Sequence, residues 1–278
     1  MTSANDWSGT VGDVWAEEWP QTDRCLAGLA VHLNAAILDM AAPGSATIVD
    51  IGCGAGATSL ATAAALPDRR VVGIDISSSL VAIATERAAG LSNLSFRCGP
   101  AEDHLADLAP VDLIVSRHGV MFFPDPVAAF SALRSGTVPG AGLVFSCFRP
   151  PALNPWATEL VSAVAGDMPP PPTGYVPGPF AFADPDFVQA TLGAAGWSRI
   201  DARPVDFSYR AGQGTDSVGD ALRFLQRIGP AAALLRQAPV EERAAMLARV
   251  EAVIARHRSG DAVDFPAAAW LWSAHNDT

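Results

Sequence analysis

The sequence predicts a doubly wound α/β fold, on the evidence of one glycine turn and the elements on either side of it. The run Thr-Ile-Val-Asp-Ile at residues 47–51 is short and mostly apolar, as expected of a buried strand. Alternating glycines follow at positions 52, 54 and 56, and an alanine-rich helical segment covers residues 58–66. A strand, a tight glycine turn and a helix in this order form the first crossover of such a sheet.

Composition excludes several classes of function. Half of the 278 residues are hydrophobic and 17% are charged, which is typical of a globular protein. A net charge of −11 without a basic stripe argues against a nucleic-acid substrate. All 18 basic residues are arginine, so a Schiff base, a phosphate-loop lysine and a tyrosine–lysine pair are excluded.

The sequence contains neither a targeting pattern nor metal-ligand spacing. No run of eighteen apolar residues predicts a membrane span, and no signal-peptide pattern begins the chain, so we expect a cytoplasmic protein. The four cysteines are scattered, which fits a reducing compartment. Neither the histidine spacing nor the carboxylates predict a metal site.

The acid two residues before the first glycine distinguishes between two cofactors. Gly52, Gly54 and Ala57 satisfy a loose dinucleotide fingerprint, but Asp50 would repel a pyrophosphate. A carboxylate suits the ammonium group of an amino-acid-bearing cofactor instead. The run Asp-Ile-Gly-Cys-Gly-Ala-Gly resembles the first motif of class I S-adenosylmethionine-dependent methyltransferases. The resemblance implies a Rossmann-like, mostly parallel seven-stranded sheet with an antiparallel last strand and helical lid elements.

The N-terminal segment combines tryptophans with acids and predicts a short helical flap. Trp15 lies in Val-Trp-Ala-Glu-Glu-Trp, which is similar to the aromatic segment that covers the cofactor in quinone-biosynthesis methyltransferases. An amphipathic helix that caps the core is the alternative. Residues 24–41 predict the next helix, with one apolar stripe formed by Leu26, Leu29, Ala30, Leu33, Ile37 and Leu38.

The second predicted strand, residues 70–76, ends in an acid. Asp75 follows the glycine turn by about twenty residues, the position from which a carboxylate accepts hydrogen bonds from two ribose hydroxyls. Ile76 would lie against the adenine face. An acid at a helix N-terminus is the alternative, because three serines open the next helix.

The turn after the third predicted strand, residues 94–98, departs from the family pattern. It reads Gly-Pro-Ala-Glu-Asp where relatives usually have Gly-Asp-Ala-Glu, so Pro100 replaces an acid that lies near the adenine amino group. Adenine contact then falls to the backbone of Ala101 and the side chain of Glu102. A solvated loop is the alternative for Glu102.

The fourth predicted strand, residues 111–116, leads into Ser-Arg-His-Gly-Val-Met-Phe-Phe. Its carboxyl end should face the transferred methyl group. His118 stands where relatives more often carry phenylalanine, and it is the candidate general base for a hydroxyl or acidic-carbon acceptor. A polar residue in the pocket wall is the alternative. Residues 137–148 resemble the family's Pro-Gly-Gly turn and fifth strand, with Ala141 replacing a glycine.

The second half of the chain predicts a looser arrangement. Residues 168–179 are proline-rich and predict an extended stretch. The remaining predictions are helices over 155–164, 185–195, 217–237 and 240–258, and strands over 199–209 and 265–275. We expect one methyltransferase domain over 1–278, with a flap (1–23), a cofactor-binding half (24–150) and a substrate-side half (151–278) that contains a helical insertion (216–258).

The resemblance implies S-adenosylmethionine as cofactor and S-adenosylhomocysteine as product. It assigns the cofactor site to residues of the flap, the glycine turn and the next three strand ends: Trp15, Asp50, Gly52, Cys53, Gly54, Gly56, Thr58, Asp75, Ile76, Ala101, Glu102, Ser116 and Arg117. The sequence is similar to the ubiquinone/menaquinone-biosynthesis type.

The expected reaction is therefore O- or C-methylation of a small-molecule acceptor such as a quinol, a phenol, a lipid-like molecule or a hydroxylated metabolite. We expect no nucleic-acid partner and no membrane span, and a homodimer is left open. Two alternatives also remain open: a nicotinamide-dependent oxidoreductase, and a non-catalytic adaptor that binds S-adenosylmethionine.

Overall fold

The computed structural model describes residues 7–41, 43–44, 46–167 and 174–278. The first six residues of the predicted flap and residues 168–173 of the proline-rich stretch lie outside the described residues. A single sheet runs through the described part. Its strands are β1 (Thr47–Ile51), β2 (Val71–Asp75), β3 (Leu94–Cys98), β4 (Val111–Arg117), β5 (Gly142–Phe148), β6 (Ser198–Gln213), β7 (Arg258–Ser259) and β8 (Ala262–His275).

The strand order is β3-β2-β1-β4-β5-β8-β6, and the two-residue strand β7 pairs with β8. Strands β1 to β5 pair in parallel, whereas β8 runs antiparallel to both of its neighbours, β5 and β6. The predicted seven-stranded path with an antiparallel last strand is thus confirmed, and β7 is a short addition. The carboxyl ends of β1, β2 and β4 meet at one edge, where α/β folds bind their ligands.

The central strands form because their sequences are mostly apolar. Every residue of β1 and of β5 is buried, as expected of strands covered on both faces. Asp50 is the acidic exception within β1, and it is 1% exposed. A buried carboxylate is costly unless it has partners, so its presence marks this strand end for a closer description.

Eleven helices accompany the sheet in the described residues. They are α1 (Thr10–Glu17), α2 (Trp19–Cys25), α3 (Ala27–Met40), α4 (Ala57–Ala65), α5 (Ser78–Arg87), α6 (Pro126–Ser135), α7 (Pro155–Ala165), α8 (Pro185–Ala194), α9 (Ser217–Leu225), α10 (Pro230–Gln237) and α11 (Val240–Arg256). Short 3₁₀ turns follow β3, β4 and β5.

Two predicted helices are divided in the structure. The residues predicted as one helix over 24–41 belong to two helices, because α2 ends at Cys25 and α3 begins at Ala27. The helix predicted over 217–237 breaks at Gly229, whose φ is +97°, and α10 begins at the following proline.

The prediction that Leu38 belongs to the apolar stripe of α3 was wrong. Leu29, Leu33 and Ile37 are fully buried, but Leu38 is 42% exposed. At about 3.6 residues per turn, nine residues from Leu29 to Leu38 amount to two and a half turns. Leu38 therefore lies on the opposite side of the helix from Leu29.

The helices α1 and α2 lie in and just beyond the segment 1–23 that was predicted as a flap, and this flap packs over the glycine turn. Ala16 of α1, Ala55 of the turn and Leu80 of α5 are buried in one apolar cluster, with Trp15 and Trp19 packed against it. The flap therefore covers the loop that joins β1 to α4. Its position places tryptophan rings next to the carboxyl edge of the sheet.

The helices α9 to α11 extend the core rather than forming a separate one. Phe224, Leu225, Val250 and Ile254 are buried in the same hydrophobic cluster as the central strands. Helices α10 and α11 pack against α7. Among the described residues, none of the helices combines the length and the apolar character that a membrane crossing requires.

Candidate active site

The glycine turn approaches the turn after β4 very closely. Gly52, Gly54 and Gly56 all have positive φ angles, a region that favours glycine. A Cβ on Gly52 would lie 2.9 Å from the Cα of Gly119, in the turn after β4, whereas a Cβ on Gly54 would meet nothing within 4 Å. The turn therefore packs tightly at its first glycine and leaves open space at its second. Open space beside bare backbone is what a ligand needs in order to approach the main chain.

Asp50 is buried with only one of its two carboxylate oxygens bonded. The hydroxyl of Ser59 donates a hydrogen bond to Oδ2 over 2.6 Å, while Oδ1 is buried without a partner. Burial raises the pKa of Asp50 to about 7, against the opposing effects of the Ser59 hydrogen bond and the charge of Arg117. An ammonium group at Oδ1 would supply the missing partner, so the predicted contact with the methionyl end of the cofactor fits this carboxylate.

Asp75 is bonded to the glycine turn from the end of β2. Its Oδ2 accepts from the Gly54 amide over 2.8 Å, and its Oδ1 accepts from the Ser77 amide over 2.9 Å. Burial raises its pKa, and these backbone hydrogen bonds oppose the shift. Each carboxylate oxygen has two acceptor positions, so both can still accept from a hydroxyl. The carboxylate thus lies at the start of α5, as the alternative interpretation expected, and its contact with the ribose stays a prediction.

The remaining residues predicted around the nucleoside differ in exposure. Ile76 is half-buried, Ala101 is buried and Glu102 is exposed. The Gly99 amide donates to the Asp75 carbonyl over 3.0 Å, which brings the turn after β3 next to the end of β2. Ala101 is thus held near the predicted ribose site, and the adenine contacts of Ile76, Ala101 and Glu102 stay predictions.

Two further residues predicted to contact the cofactor are Cys53, in the glycine turn, and Thr58, in the first turn of α4. The amide of Cys53 donates to the Ile74 carbonyl over 3.1 Å, and burial raises the pKa of the Cys53 thiol. Thr58 is 5% exposed. Their backbone groups line the turn, while both side chains are directed into the protein; their cofactor contacts stay predictions.

Ser116 connects two strand ends. It is fully buried, its hydroxyl donates to the Ile51 carbonyl over 2.7 Å, and its oxygen accepts from the Gly119 amide over 3.2 Å. These bonds join the end of β1 to the turn after β4. The serine therefore supports the shape of the site, and its predicted cofactor contact stays a prediction.

Arg117 is paired with the flap. Its Nη2 donates to Oδ1 of Asp23 over 2.8 Å, and Nη2 of Arg87 donates to the other oxygen of the same carboxylate over 2.7 Å. The side chain of Arg117 is only 13% exposed. Asp23 thus links α2 to α5 and to the end of β4, which closes the flap onto the site.

An aromatic ring of the flap also contacts the turn after β4. The ring of Trp7 lies 5.4 Å from that of Trp15 and 5.0 Å from that of Phe122, in the turn after β4. The flap thus extends from the glycine turn to this second turn. Such a position suits the predicted role of Trp15 as a cover for the cofactor.

His118 occupies an unusual backbone conformation in a buried position. Its φ is +61°, its Nδ1 lies 2.9 Å from Oγ of Ser146, and its Nε2 is buried without a partner. The Phe148 ring lies 4.1 Å from the imidazole in an edge-on arrangement. Burial and the charge of Arg117 lower the pKa of His118 to about 3, so the ring is neutral at neutral pH.

Three contributors to the site were missed in the sequence analysis: Asp23, Ser59 and Ser146. Ser59 follows Asp50 by nine residues, so a polar residue in the first turns of the next helix was a detectable signal. Asp23 and Ser146 contact residues far away in the sequence, and no local pattern indicates them. In the residues that the structure describes, no cluster of three or more histidine, cysteine or acidic side chains could hold a metal ion.

Comparisons with known proteins agree with this geometry. Residues 48–140 match the model of the methyltransferase domain family. A curated relative, the human MTRF1L release factor glutamine methyltransferase, is 28% identical over 130 residues, which is 44% of this chain and 38% of that protein. The match thus spans well under half of the relative's length.

Solved structures show the same fold at low identity. A putative methyltransferase from Bacillus halodurans is 15% identical with a TM-score of 0.54, covering 89% of this chain and 100% of that one. Phosphoethanolamine N-methyltransferase 2 of Haemonchus contortus, in complex with phosphomonomethylethanolamine and S-adenosylhomocysteine, is 14% identical with a TM-score of 0.55, covering 100% of this chain and 61% of that one. The family match shows that residues 48–140 are similar to a methyltransferase domain, and the solved structures show that the chain shares their fold.

Proposed function

We propose that this protein methylates an oxygen or an acidic carbon of a small-molecule acceptor, with His118 as general base. S-adenosylmethionine supplies a methyl group on a positively charged sulfur, already activated for in-line displacement by a nucleophile. The chain therefore has to hold the cofactor, align the acceptor, exclude water and take up one proton. These are the four tasks to which the described residues can be assigned.

Holding the cofactor falls to three groups. The free oxygen of Asp50 would accept from the ammonium group, and the open backbone at Gly54 would lie beside the methionyl chain. The carboxylate of Asp75 would accept from the ribose hydroxyls. The flap then covers this edge, because Asp23 pairs with both Arg87 and Arg117. Covering the edge excludes water from the displacement.

The proposal depends on the uptake of the acceptor's proton. The observation that supports this step is the unpartnered Nε2 of His118. This nitrogen is buried and unpartnered beside the strand end that should face the methyl group. Because the pKa of His118 is lowered to about 3, the ring is already in its base form at neutral pH. A base of low pKa has little driving force toward a weakly acidic alcohol. It favours acceptors whose own proton is acidic, such as phenols, quinols and enols.

The surroundings of His118 favour an aromatic acceptor as well. Phe148 borders the imidazole, Trp156 lies 5.0 Å from Phe148, and Phe180 lies 5.8 Å from Phe148. Tyr209 stacks on Trp156 at 4.8 Å. Phe148, Trp156 and Tyr209 are buried in the core, so these rings form an apolar wall beside the imidazole. An apolar wall suits an acceptor with little charge, which supports the expected class of quinols and phenols. The similarity to the ubiquinone/menaquinone-biosynthesis type is part of the same proposal.

Turnover and binding together test the proposal. We expect calorimetric binding of S-adenosylhomocysteine, no binding of NADH, and production of S-adenosylhomocysteine with at least one phenol or quinol from a panel. His118→Phe should lower turnover by about a hundredfold, within the usual range for a general base, without weakening cofactor binding. His32→Gln, at an exposed position on α3, is the matched control.

Three results would contradict the proposal. Binding of NADH without S-adenosylhomocysteine would indicate the oxidoreductase. Cofactor binding without turnover on a broad panel would indicate the adaptor. Full turnover by His118→Phe would remove the general base while leaving methyl transfer in place. A homodimer stays a prediction, which the mass of the protein in solution would test.

A further inference from the structure

Ser146 holds His118 at two points. The residues lie on adjacent chain segments, because β4 and β5 pair in parallel with Arg117 opposite Ser146. The His118 amide donates to the Ser146 carbonyl over 3.1 Å, and the imidazole Nδ1 lies 2.9 Å from the Ser146 hydroxyl oxygen. Ser146 is fully buried. One residue of β5 thus fixes both the backbone and the ring of His118.

The backbone of His118 needs such support. A φ of +61° is uncommon for a residue other than glycine, and residues in this region tend to persist only where neighbouring contacts hold them. The amide bond to Ser146 supplies one such contact. The edge-on Phe148 ring packs against the imidazole and limits the rotation of that ring.

The two ring nitrogens are then distinguishable. Nδ1 has Ser146 as its partner, while Nε2 is buried without one. A buried N–H without an acceptor is the rarest kind of unsatisfied polar group. The proton of the neutral ring therefore belongs on Nδ1. A serine oxygen can accept there, since its own hydrogen rotates about the Cβ–Oγ bond.

We propose that Ser146 is a positioning residue that keeps the proton of His118 on Nδ1 and presents the Nε2 lone pair to the acceptor. This inference rests on the proposed function. The O–H bond of the acceptor breaks, its electron pair stays on oxygen, and its proton forms the N–H bond at Nε2. The resulting imidazolium keeps its Nδ1–H bonded to Ser146, so the serine stabilises the charged ring as well as the neutral one.

The test compares three variants by a spectroscopic and a kinetic measurement. Nitrogen NMR of histidine-labelled protein with S-adenosylhomocysteine bound reports which ring nitrogen carries the proton, and His118→Phe identifies the His118 signals among the five histidines. We expect the proton on Nδ1 in the wild type and in Ser146→Thr, which keeps the hydroxyl. In Ser146→Ala we expect the proton to move to Nε2 in part of the molecules.

The kinetic expectation follows from the loss of one hydrogen bond. Ser146→Ala should lower kcat about five- to tenfold with the KM for S-adenosylmethionine unchanged, and Ser146→Thr should recover most of it. Cys147→Ala is the matched control, because Cys147 is the next buried residue of β5 and bonds to Phe182 instead.

The possible failures are distinguishable. A proton on Nε2 in the wild type overturns the inference, whether or not Ser146→Ala folds. An unchanged proton position and kcat in Ser146→Ala also overturns it, while the base role of His118 stands if His118→Phe is inactive. Full activity of His118→Phe overturns the general base itself, and the inference with it.

Discussion

Asp23 of the flap accepts a hydrogen bond from Arg117, at the end of β4, over 2.8 Å. The same carboxylate accepts from Arg87 on the other side. The flap is therefore attached to α5 and to the end of β4 by charge as well as by its tryptophans. The three side chains are only 13–21% exposed. Their ion pairs are therefore screened less by solvent, and stabilise the contact more, than a pair that is fully exposed.

Asp23→Asn should loosen this attachment while keeping the side-chain shape. We expect S-adenosylhomocysteine to bind about three- to tenfold more weakly, corresponding to one weakened charged hydrogen bond. The flap should also be cleaved faster by protease in the bound state. Calorimetry and limited proteolysis measure these effects.

Asp216→Asn is the control for Asp23→Asn. Asp216 also forms an ion pair, with Arg223, but at 70% exposure. Its removal should leave cofactor affinity unchanged. Equal losses of affinity in the two variants would mean that the flap contact has no special role.

The free oxygen of Asp50 leads to a prediction about ligand selectivity. Asp50→Asn keeps the shape of the side chain and removes its charge. We expect the affinity for S-adenosylhomocysteine to fall at least tenfold, because the ammonium group loses its counter-charge. Methylthioadenosine lacks the amino-acid part and should bind the variant and the wild type equally. Calorimetry with both ligands separates the two ends of the site, and an equal loss for both would place Asp50 elsewhere.

Much of this site was predictable, for physical reasons. The glycine turn and the strand acids are encoded by neighbouring residues, so local patterns located Asp50 and Asp75. Contacts between distant segments are not encoded locally. Asp23 and Arg117 are 94 positions apart, and His118 and Ser146 are 28 apart. The break in the helix predicted over 217–237 was visible in the sequence as a Gly-Pro pair at residues 229–230, but the apolar periodicity outweighed it. The break at Leu26 has no such signal.

The raised pKa of Asp50 predicts that cofactor binding depends on pH. With a pKa of about 7 in the free protein, the carboxyl is largely protonated at pH 6, so binding an ammonium group there must release a proton. The affinity for S-adenosylhomocysteine should rise between pH 5.5 and 7.5, with a limiting slope of about tenfold per pH unit below 7. Calorimetry across this range measures the slope. Asp50→Asn should remove it, and a wild-type affinity that does not vary with pH would contradict the prediction.

The same pKa predicts an effect on folding. Asp50 has a pKa of about 7 in the folded protein against 3.8 for the unperturbed group, so the folded state binds more protons between these values. As far as Asp50 is concerned, the free energy of unfolding is therefore highest below about pH 4, and it falls as the pH rises through 7. Asp75 shifts in the same direction. The difference between the wild type and Asp50→Asn, measured by urea unfolding at several pH values, isolates the contribution of Asp50.

Gly54 and Gly214 permit a test of the open space in the glycine turn. Both have positive φ, at +55° and +88°, and a Cβ on either would meet nothing within 4 Å. Alanine should therefore destabilise both proteins by a similar amount, about 1–2 kcal/mol for the backbone conformation. Only Gly54→Ala places its methyl group where the cofactor would approach the main chain, so it alone should weaken binding of S-adenosylhomocysteine. Thermal unfolding and calorimetry of the two variants give the comparison. If Gly54→Ala binds the ligand as tightly as Gly214→Ala, the cofactor does not approach the backbone at this glycine.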